Sequence, residues 1–202
     1  MAMDTISSHE RKKREICTVA LNLFSERGFE GATLEAVAET LNYTKPALYY
    51  YFKSKEELFR SIMLNSLIDA DDRIREIAGR NASASDRLRA VIHLYLDDHF
   101  TRKGYFSICH VLPGFKDKIP EGPERAEIEK RSISIPRLII GIIREGVESG
   151  EFIDEDPDVI GGIVFGMMSG ILIHIGIPAL AGMEQHSLKA MLDRIVVKGI
   201  SA

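Results

Sequence analysis

Thr33-Leu-Glu-Ala-Val-Ala-Glu-Thr-Leu-Asn-Tyr-Thr-Lys-Pro-Ala-Leu-Tyr-Tyr-Tyr-Phe-Lys-Ser-Lys-Glu-Glu-Leu-Phe59 is the stretch on which the fold of this chain turns. Thr33 is suited to cap a short helix whose inner face carries Val37, Ala38 and Leu41. Thr44 caps a second, with Pro46 in the first turn, where a missing backbone N–H costs nothing. Between them Leu41-Asn42-Tyr43 leaves room only for a tight turn, and Asn42 is the non-glycine residue best able to take positive φ there. Leu48 and Phe52, four apart, anchor the second helix to a core. Ser54 with Glu57 is a capping-box pair and opens a further helix running to about Gly79.

Upstream, Ser7 with Glu10 announces a longer helix whose apolar face reads Ile16, Val19, Ala20, Leu23 and Phe24. Gly28 should end it in the left-handed conformation, with Phe29 folding back on Phe24. Arg11-Lys12-Lys13-Arg14 puts four cations in the first turns, against the helix dipole, so local stability does not account for them. Counter-charges from DNA phosphates would; a plainly solvated segment is the alternative reading.

Two short helices joined by a tight turn behind a supporting helix make a helix-turn-helix, whose second helix enters the major groove of DNA. Here Thr44, Lys45, Pro46 and Ala47 occupy its leading end, and Tyr49 and Tyr51 offer hydroxyls. Lys55, at the start of the next helix, can pair with the DNA backbone, as can that helix's own N-terminus. The quoted stretch, with Ala20-Leu21 to Gly28-Phe29 before it, resembles the signature of the TetR (tetracycline-repressor-like) family, closely over about residues 11–60. The resemblance implies that Thr33 and Lys55 contact phosphates, and that Lys45, Pro46, Ala47, Tyr49 and Tyr51 face the groove. Asn42 replaces the family's usual turn glycine. Tyr51 replaces its frequent histidine, and Pro46-Ala47 a common Gly-Thr/Ser pair, so no relative's operator sequence can be borrowed. The expected division is a DNA-binding domain over 8–53 and an effector-binding and dimerisation domain over 54–202.

Beyond Gly79 the signals are helical throughout, and the whole chain is expected to be all-α with about nine helices. Ser83–Ser85 opens one with Leu88, Val91, Ile92, Tyr95, Leu96 and His99 inward. A long helix from about Pro123 to Ser149 ends at Gly150, and Pro136 inside it should kink or divide it. Asp156-Pro157 begins another, and Ser187 caps a last one with Leu188, Met191, Leu192, Ile195 and Val196. Val159 to Met183 holds 25 residues without a charge, long enough to cross a bilayer. Its several glycines, Pro178, His174 and the acidic run Asp154–Asp158 make a poor span, and a buried helix is the preferred reading. Gly162, Gly166 and Gly170, spaced by four, would let that helix approach a partner closely. With Leu188, Met191, Leu192 and Ile195 on the last helix, they form the dimer interface that the resemblance suggests. Tyr95, His99, Phe106, Cys109, His110, Phe165, Met168 and His174 are candidates to line a pocket for a small, largely hydrophobic effector; plain core is the alternative for each.

Composition sets the outer limits. The chain has 202 residues, 45% hydrophobic and 28% charged, with formal net charge −4. Residues 1–60 carry nine Lys/Arg against nine Asp/Glu, and the remainder 17 against 21, so positive charge is local rather than general. Cys17 and Cys109 form no metal or disulfide framework, and the polar N-terminal segment resembles no signal peptide, which suits a cytoplasmic protein. No GxSxG, Walker, GxGxxG or HExxH pattern is present, so neither enzyme, cofactor nor metal site is expected. The expected partners are a pseudo-palindromic double-stranded operator, a small-molecule effector and a second copy of the chain, with no membrane. The expected activity is repression; an activator of the same architecture, or a helical protein-interaction module, is the alternative.

Overall fold

The computed structural model describes residues 7–101, 119, 121–173 and 183–202. Among them the chain is all-α: α1 Ser8–Gly31, α2 Leu34–Thr40, α3 Lys45–Tyr51, α4 Lys55–Ala78, α5 Ala84–Thr101, α6 Pro123–Glu148, α7 Pro157–Ile173 and α8 Gln185–Leu192. A π-helical turn, Asp193–Val197, and a 3-10 turn, Lys198–Ile200, continue α8. Among the described residues the one extended pairing is a single bridge between Phe152 and Ser201.

The chain forms two compact units, residues 1–65 and 66–202. The division falls inside α4 rather than before it, because the first turns of α4 belong to the N-terminal core. Phe59 meets Phe24 and Phe29 edge-on at 5.5 and 5.1 Å between ring centres, and Leu58 and Ile62 are buried beside them. Gly28 takes φ 70° and breaks α1 before its last short turn, and Phe29 stacks on Phe24 at 5.7 Å. Cys17 is buried in this unit, and burial pushes its thiol up to about 12, which leaves it an inert core group.

The second unit is built around α6, which packs on α5 and α7. Leu88, Val91, Ile92, Tyr95 and Leu96 of α5 are buried as their spacing requires, against Ile128, Ile135, Ile139, Ile142 and Ile143 of α6. Pro136 does not divide α6, which runs unbroken through it. Gly150, at φ 74°, closes α6 with the two backbone bonds of a Schellman motif, Glu151 N–H to Gly146 and Gly150 N–H to Val147. The last helix starts at Gln185, not at Ser187. No side chain caps it; the side chains of Gln185 and Lys189 reach Asp97 of α5, and this long-range contact sets where the helix begins.

The polar frame of this unit is also long-range. Asp71, 1% exposed, receives Ser134 Oγ at 2.6 Å and Arg131 at 2.6 Å from α6, with Arg75 at 3.2 Å from its own helix. Asp98, 2% exposed, receives Arg73 through both oxygens at 2.7 and 2.8 Å. Burial works against the charge on Asp71, but the hydrogen bonds from Ser134 and Arg75 and the charges of Arg75 and Arg131 outweigh it, so its carboxyl sits below the usual aspartate range. Among the described residues no helix is long and apolar enough to cross a membrane.

Candidate nucleic-acid interface

α2 and α3 are short helices that depend on their ends. Thr33 Oγ1 accepts the Ala36 N–H at 3.1 Å, and Thr44 Oγ1 accepts the Ala47 N–H at 3.3 Å. Each hydroxyl proton stays available to an acceptor outside the chain, and both threonines are exposed. The turn between the helices is a Schellman closure on Asn42: φ is 55°, the Asn42 N–H reaches the Glu39 carbonyl at 3.1 Å, and the Tyr43 N–H reaches Ala38 at 2.8 Å. The side chain that replaces glycine therefore carries a left-handed residue in a fully bonded turn.

Leu48 and Phe52 are both at 0% exposure, which seats α3 by its inner face; such burial contributes about 1.5–3 kcal/mol per side chain. The leading end is consequently outward: Lys45 and Pro46 are exposed and Ala47 is half-exposed. Tyr49 and Tyr51 are half-buried. Tyr50, at 66%, is the most exposed large hydrophobic side chain among the described residues, and sequence reasoning passed over it. The signal was there, because a residue two positions from both Leu48 and Phe52 must lie on the opposite face of the helix. His9 of α1 completes a ring cluster on this surface, stacked on Tyr51 at 5.0 Å and edge-on to Tyr50 at 5.7 Å.

The cations divide into engaged and free. Lys12 pairs with Glu15 at 3.0 Å and lies 5.6 Å over the Tyr43 ring; a hydrogen bond with Tyr43 and the Glu15 carboxylate push its ammonium above the usual lysine range. Lys13 lies 5.4 Å over the Phe52 ring. Half of the basic run thus has partners within the fold, while Arg11 and Arg14 face solvent with no ion-pair partner among the described residues. Lys53 donates to the Tyr49 carbonyl at 2.9 Å. Lys55 is tied more firmly than a free phosphate ligand would be, donating to the Phe29 carbonyl at 2.8 Å, 4.4 Å over the Phe29 ring and 3.8 Å from Glu30. Lys45 meets Glu35 at 2.6 Å, an acidic neighbour that sequence reasoning did not single out. An open depression of roughly 330 Å³ lies along this surface, lined by Ala32, Thr33, Leu34, Glu35, Tyr49, Lys53, Ser54 and Lys55.

This is the anatomy of a helix-turn-helix reader: a seated helix, an outward leading turn, and cations and capped helix ends beside it. Comparison with known proteins gives the same answer. The sequence model described as "Bacterial regulatory proteins, tetR family" matches residues 16–62, and that of the "Tetracyclin repressor-like, C-terminal domain" matches residues 81–172. The chain belongs to the TetR family. As a member it is a DNA-binding transcriptional regulator. It is 24% identical over 161 residues to the HTH-type transcriptional repressor KstR2 of Mycolicibacterium smegmatis, covering 79% of this chain and 77% of the relative. Its fold matches the structure of the ketosteroid transcriptional regulator KstR2 of Mycobacterium tuberculosis with a TM-score of 0.77 at 20% identity, covering 95% of each chain. It also matches AibR in complex with isovaleryl coenzyme A and operator DNA, with a TM-score of 0.72 at 19% identity over 92% of this chain and 98% of that one.

In the second unit of this TetR-family regulator the expected dimer and pocket residues separate. Gly162 and Gly166 are exposed and Gly170 is half-exposed, and a Cβ on any of the three would meet nothing within 4 Å among the described residues. The close approach within the protomer is made one position earlier, where Gly161 lies against Ile140 of α6. Val159 and Ile163, 58% and 59% exposed, share the face of the stripe. On the last helix Leu188 and Leu192 are buried within the protomer and so are not available to a partner, which corrects their placement in an interface. α8 packs on α5, and the apolar face of an amphipathic helix does not say which neighbour will cover it. Met191 is half-buried and Ile195 is 55% exposed.

Of the pocket candidates, Tyr95 and Met168 are buried and Phe165 is half-buried. Phe106, Cys109, His110, His174 and the side chain of His99 lie outside the described residues. Beside Met168, the Ser169 hydroxyl is buried without a hydrogen-bond partner among the described residues.

Proposed function

We propose that this regulator is a cytoplasmic homodimeric repressor, without catalytic activity, that is released from its operator by a small-molecule effector that presents a hydrophobic chain to the protein. Its two α3 helices occupy successive major grooves of a pseudo-palindromic site. Thr44, Lys45, Pro46, Ala47, Tyr49 and Tyr51 face base edges, while Thr33 and Lys55 hold the backbone. The observation that carries this reading is the seating of α3: Leu48 and Phe52 are fully buried, so Lys45 and Pro46 stand outward at the leading end. Repression is supported by likeness to a relative named as a repressor.

The dimer interface is the exposed apolar face of α7, with Val159, Gly162, Ile163, Gly166 and Gly170, joined by Met191 and Ile195 of the last helical segment. Without a partner that face leaves two large aliphatic side chains in water. The effector is an acyl coenzyme A thioester, a class suggested by the isovaleryl coenzyme A bound to AibR. Tyr95, Phe165 and Met168, with His99, Phe106, Cys109, His110 and His174, surround its acyl chain. The buried Ser169 hydroxyl, without a hydrogen-bond partner among the described residues, fits a polar group of the ligand, since a buried hydroxyl without a hydrogen bond is costly. Release requires tighter binding to the DNA-incompetent dimer, because only differential affinity moves the equilibrium.

Selection from a random double-stranded DNA library should enrich a palindrome, and titration with acyl coenzyme A thioesters of increasing chain length should release it. Folded protein that enriches nothing at low salt would overturn the operator reading. Release by free coenzyme A as readily as by its thioesters would overturn the effector class.

A further inference from the structure

We propose that Glu35 is the residue that makes Lys45 selective: it holds the lysine at the leading end of α3 and withholds it from backbone phosphates, so that Lys45 engages DNA productively only at a base edge. This rests on α3 being the reading helix. Glu35 stands in the first turn of α2, yet its carboxylate crosses to α3, where it receives Lys45 Nζ at 2.6 Å and the Tyr49 hydroxyl at 3.4 Å. The Lys45 ammonium in turn lies 5.7 Å from the centre of the Tyr49 ring. One carboxylate therefore fixes two of the groove-facing side chains together.

Stability does not explain the arrangement. The Lys45 and Glu35 side chains keep 61% and 44% of their exposure, and an ion pair so wet contributes little to folding. Glu35 already has a favourable place near the positive end of α2 without Lys45. Nor does simple attraction to DNA explain it. Glu35 lines the same depression as Thr33, Lys53, Ser54 and Lys55, so a carboxylate stands among groups suited to a phosphate. The bond to Lys45 holds the Glu35 carboxyl below the usual glutamate range and raises the ammonium in return.

The arrangement acts as a filter. On an arbitrary duplex, a phosphate that approaches the two remaining donors of Lys45 is repelled by the Glu35 carboxylate held against it. At the right base pair the acceptors are neutral and meet no such repulsion. An ammonium has three donors, and with one given to Glu35 two remain for the O6 and N7 acceptors of a guanine in the major groove. The pair survives at the operator and is an obstacle elsewhere.

Binding of Glu35→Gln to the selected operator and to random DNA, each across a salt series, tests this. Glutamine keeps the reach to Tyr49 but not the charge. Random-DNA affinity should rise, with a salt slope steeper by about 0.9; at roughly 0.15 M salt this corresponds to about fivefold. Operator affinity should change less, so discrimination falls. In a Lys45→Gln background the same change should have no effect on discrimination, and Glu35→Asp should restore part of it, outcomes that a merely structural residue would not produce. Equal gains on operator and random DNA, no change on either, or an effect that persists without Lys45 would each overturn the proposal while leaving the operator reading intact. A wild-type protein with no operator preference would overturn both.

Discussion

The two units of this molecule differ in how far their helix caps and buried carboxylate contacts reach. In residues 1–65 each helix start is closed by a hydroxyl three residues before the N–H it accepts: Ser7 for Glu10, Thr33 for Ala36, Thr44 for Ala47, Ser54 for Glu57. In residues 66–202 the start of α5 is closed by Ser83 and also by Glu151, whose carboxylate takes the Ala84 and Ser85 N–H groups from 67 and 66 residues away. Asp71 and Asp98 likewise draw arginines across helices. The first unit can thus present a surface whose shape is locally determined, suited to a fixed target such as the DNA groove. The second depends on a network that a ligand or a partner can bias.

The strongest way to break the comparison is to unseat α3. Phe52→Ala removes a fully buried ring from the smaller core and should cost about 3–5 kcal/mol, abolishing operator binding with loss of the first unit's structure. Exchange of amide hydrogens should show residues 66–202 still protected. If both units lose protection together, the separation of the two is not energetic.

Asp71→Asn tests the long-range network and should cost about 2 kcal/mol at neutral pH, since hydrogen bonds to a charged, buried acceptor are lost. The sign with pH follows from the lowered carboxyl. Its contribution is complete above the ordinary aspartate value near 4 and is lost as pH falls through the depressed folded value. Urea melts at neutral and strongly acid pH should therefore show the variant converging on wild type as the solution is acidified. A constant difference would mean that Asp71 acts through packing rather than charge.

These contrasts explain what could be read beforehand. Positive φ at Gly28, Asn42 and Gly150, the Phe24–Phe29 contact and the seating of Leu48 and Phe52 follow from sterics and spacing within a few residues, and all were legible. Ser187 misled because capping preference is local, whereas α8 starts where Asp97 holds Gln185 and Lys189. Leu188 and Leu192 misled because periodicity identifies an apolar face but not its neighbour. Glu35 was illegible for a different reason: an acidic residue in a first turn already has a helix-dipole explanation, and its reach to Lys45 exists only once α2 and α3 are folded together.

Gly166→Leu sharpens the assignment of the α7 face. A Cβ there meets nothing within 4 Å among the described residues, so the substitution is nearly silent for folding and acts on whatever covers the face. Dimer dissociation measured by sedimentation at low concentration should become easier by about tenfold, roughly 1.4 kcal/mol, with the melting of the protomer little changed. An unaltered dimer would move the interface elsewhere.

The smallest effect expected is at Lys55, where the structure complicates a simple phosphate contact. Its ammonium donates to the Phe29 carbonyl at 2.8 Å and lies beneath that ring, so one of its three donors serves the fold and two remain for DNA. Lys55→Ala should weaken binding to every operator variant alike, by about fivefold at roughly 0.15 M salt, with the salt slope shallower by about 0.9. Sequence preference should be unchanged, in contrast to Lys45→Ala. Thermal melting separates the two roles of Lys55: the lost bond to Phe29 lowers stability by about 1 kcal/mol whether or not DNA is present. A variant with that stability loss but an unaltered salt slope would make Lys55 a brace between the end of α1 and the start of α4, and would leave Thr33 and the N-terminus of α4 as the phosphate contacts of this face.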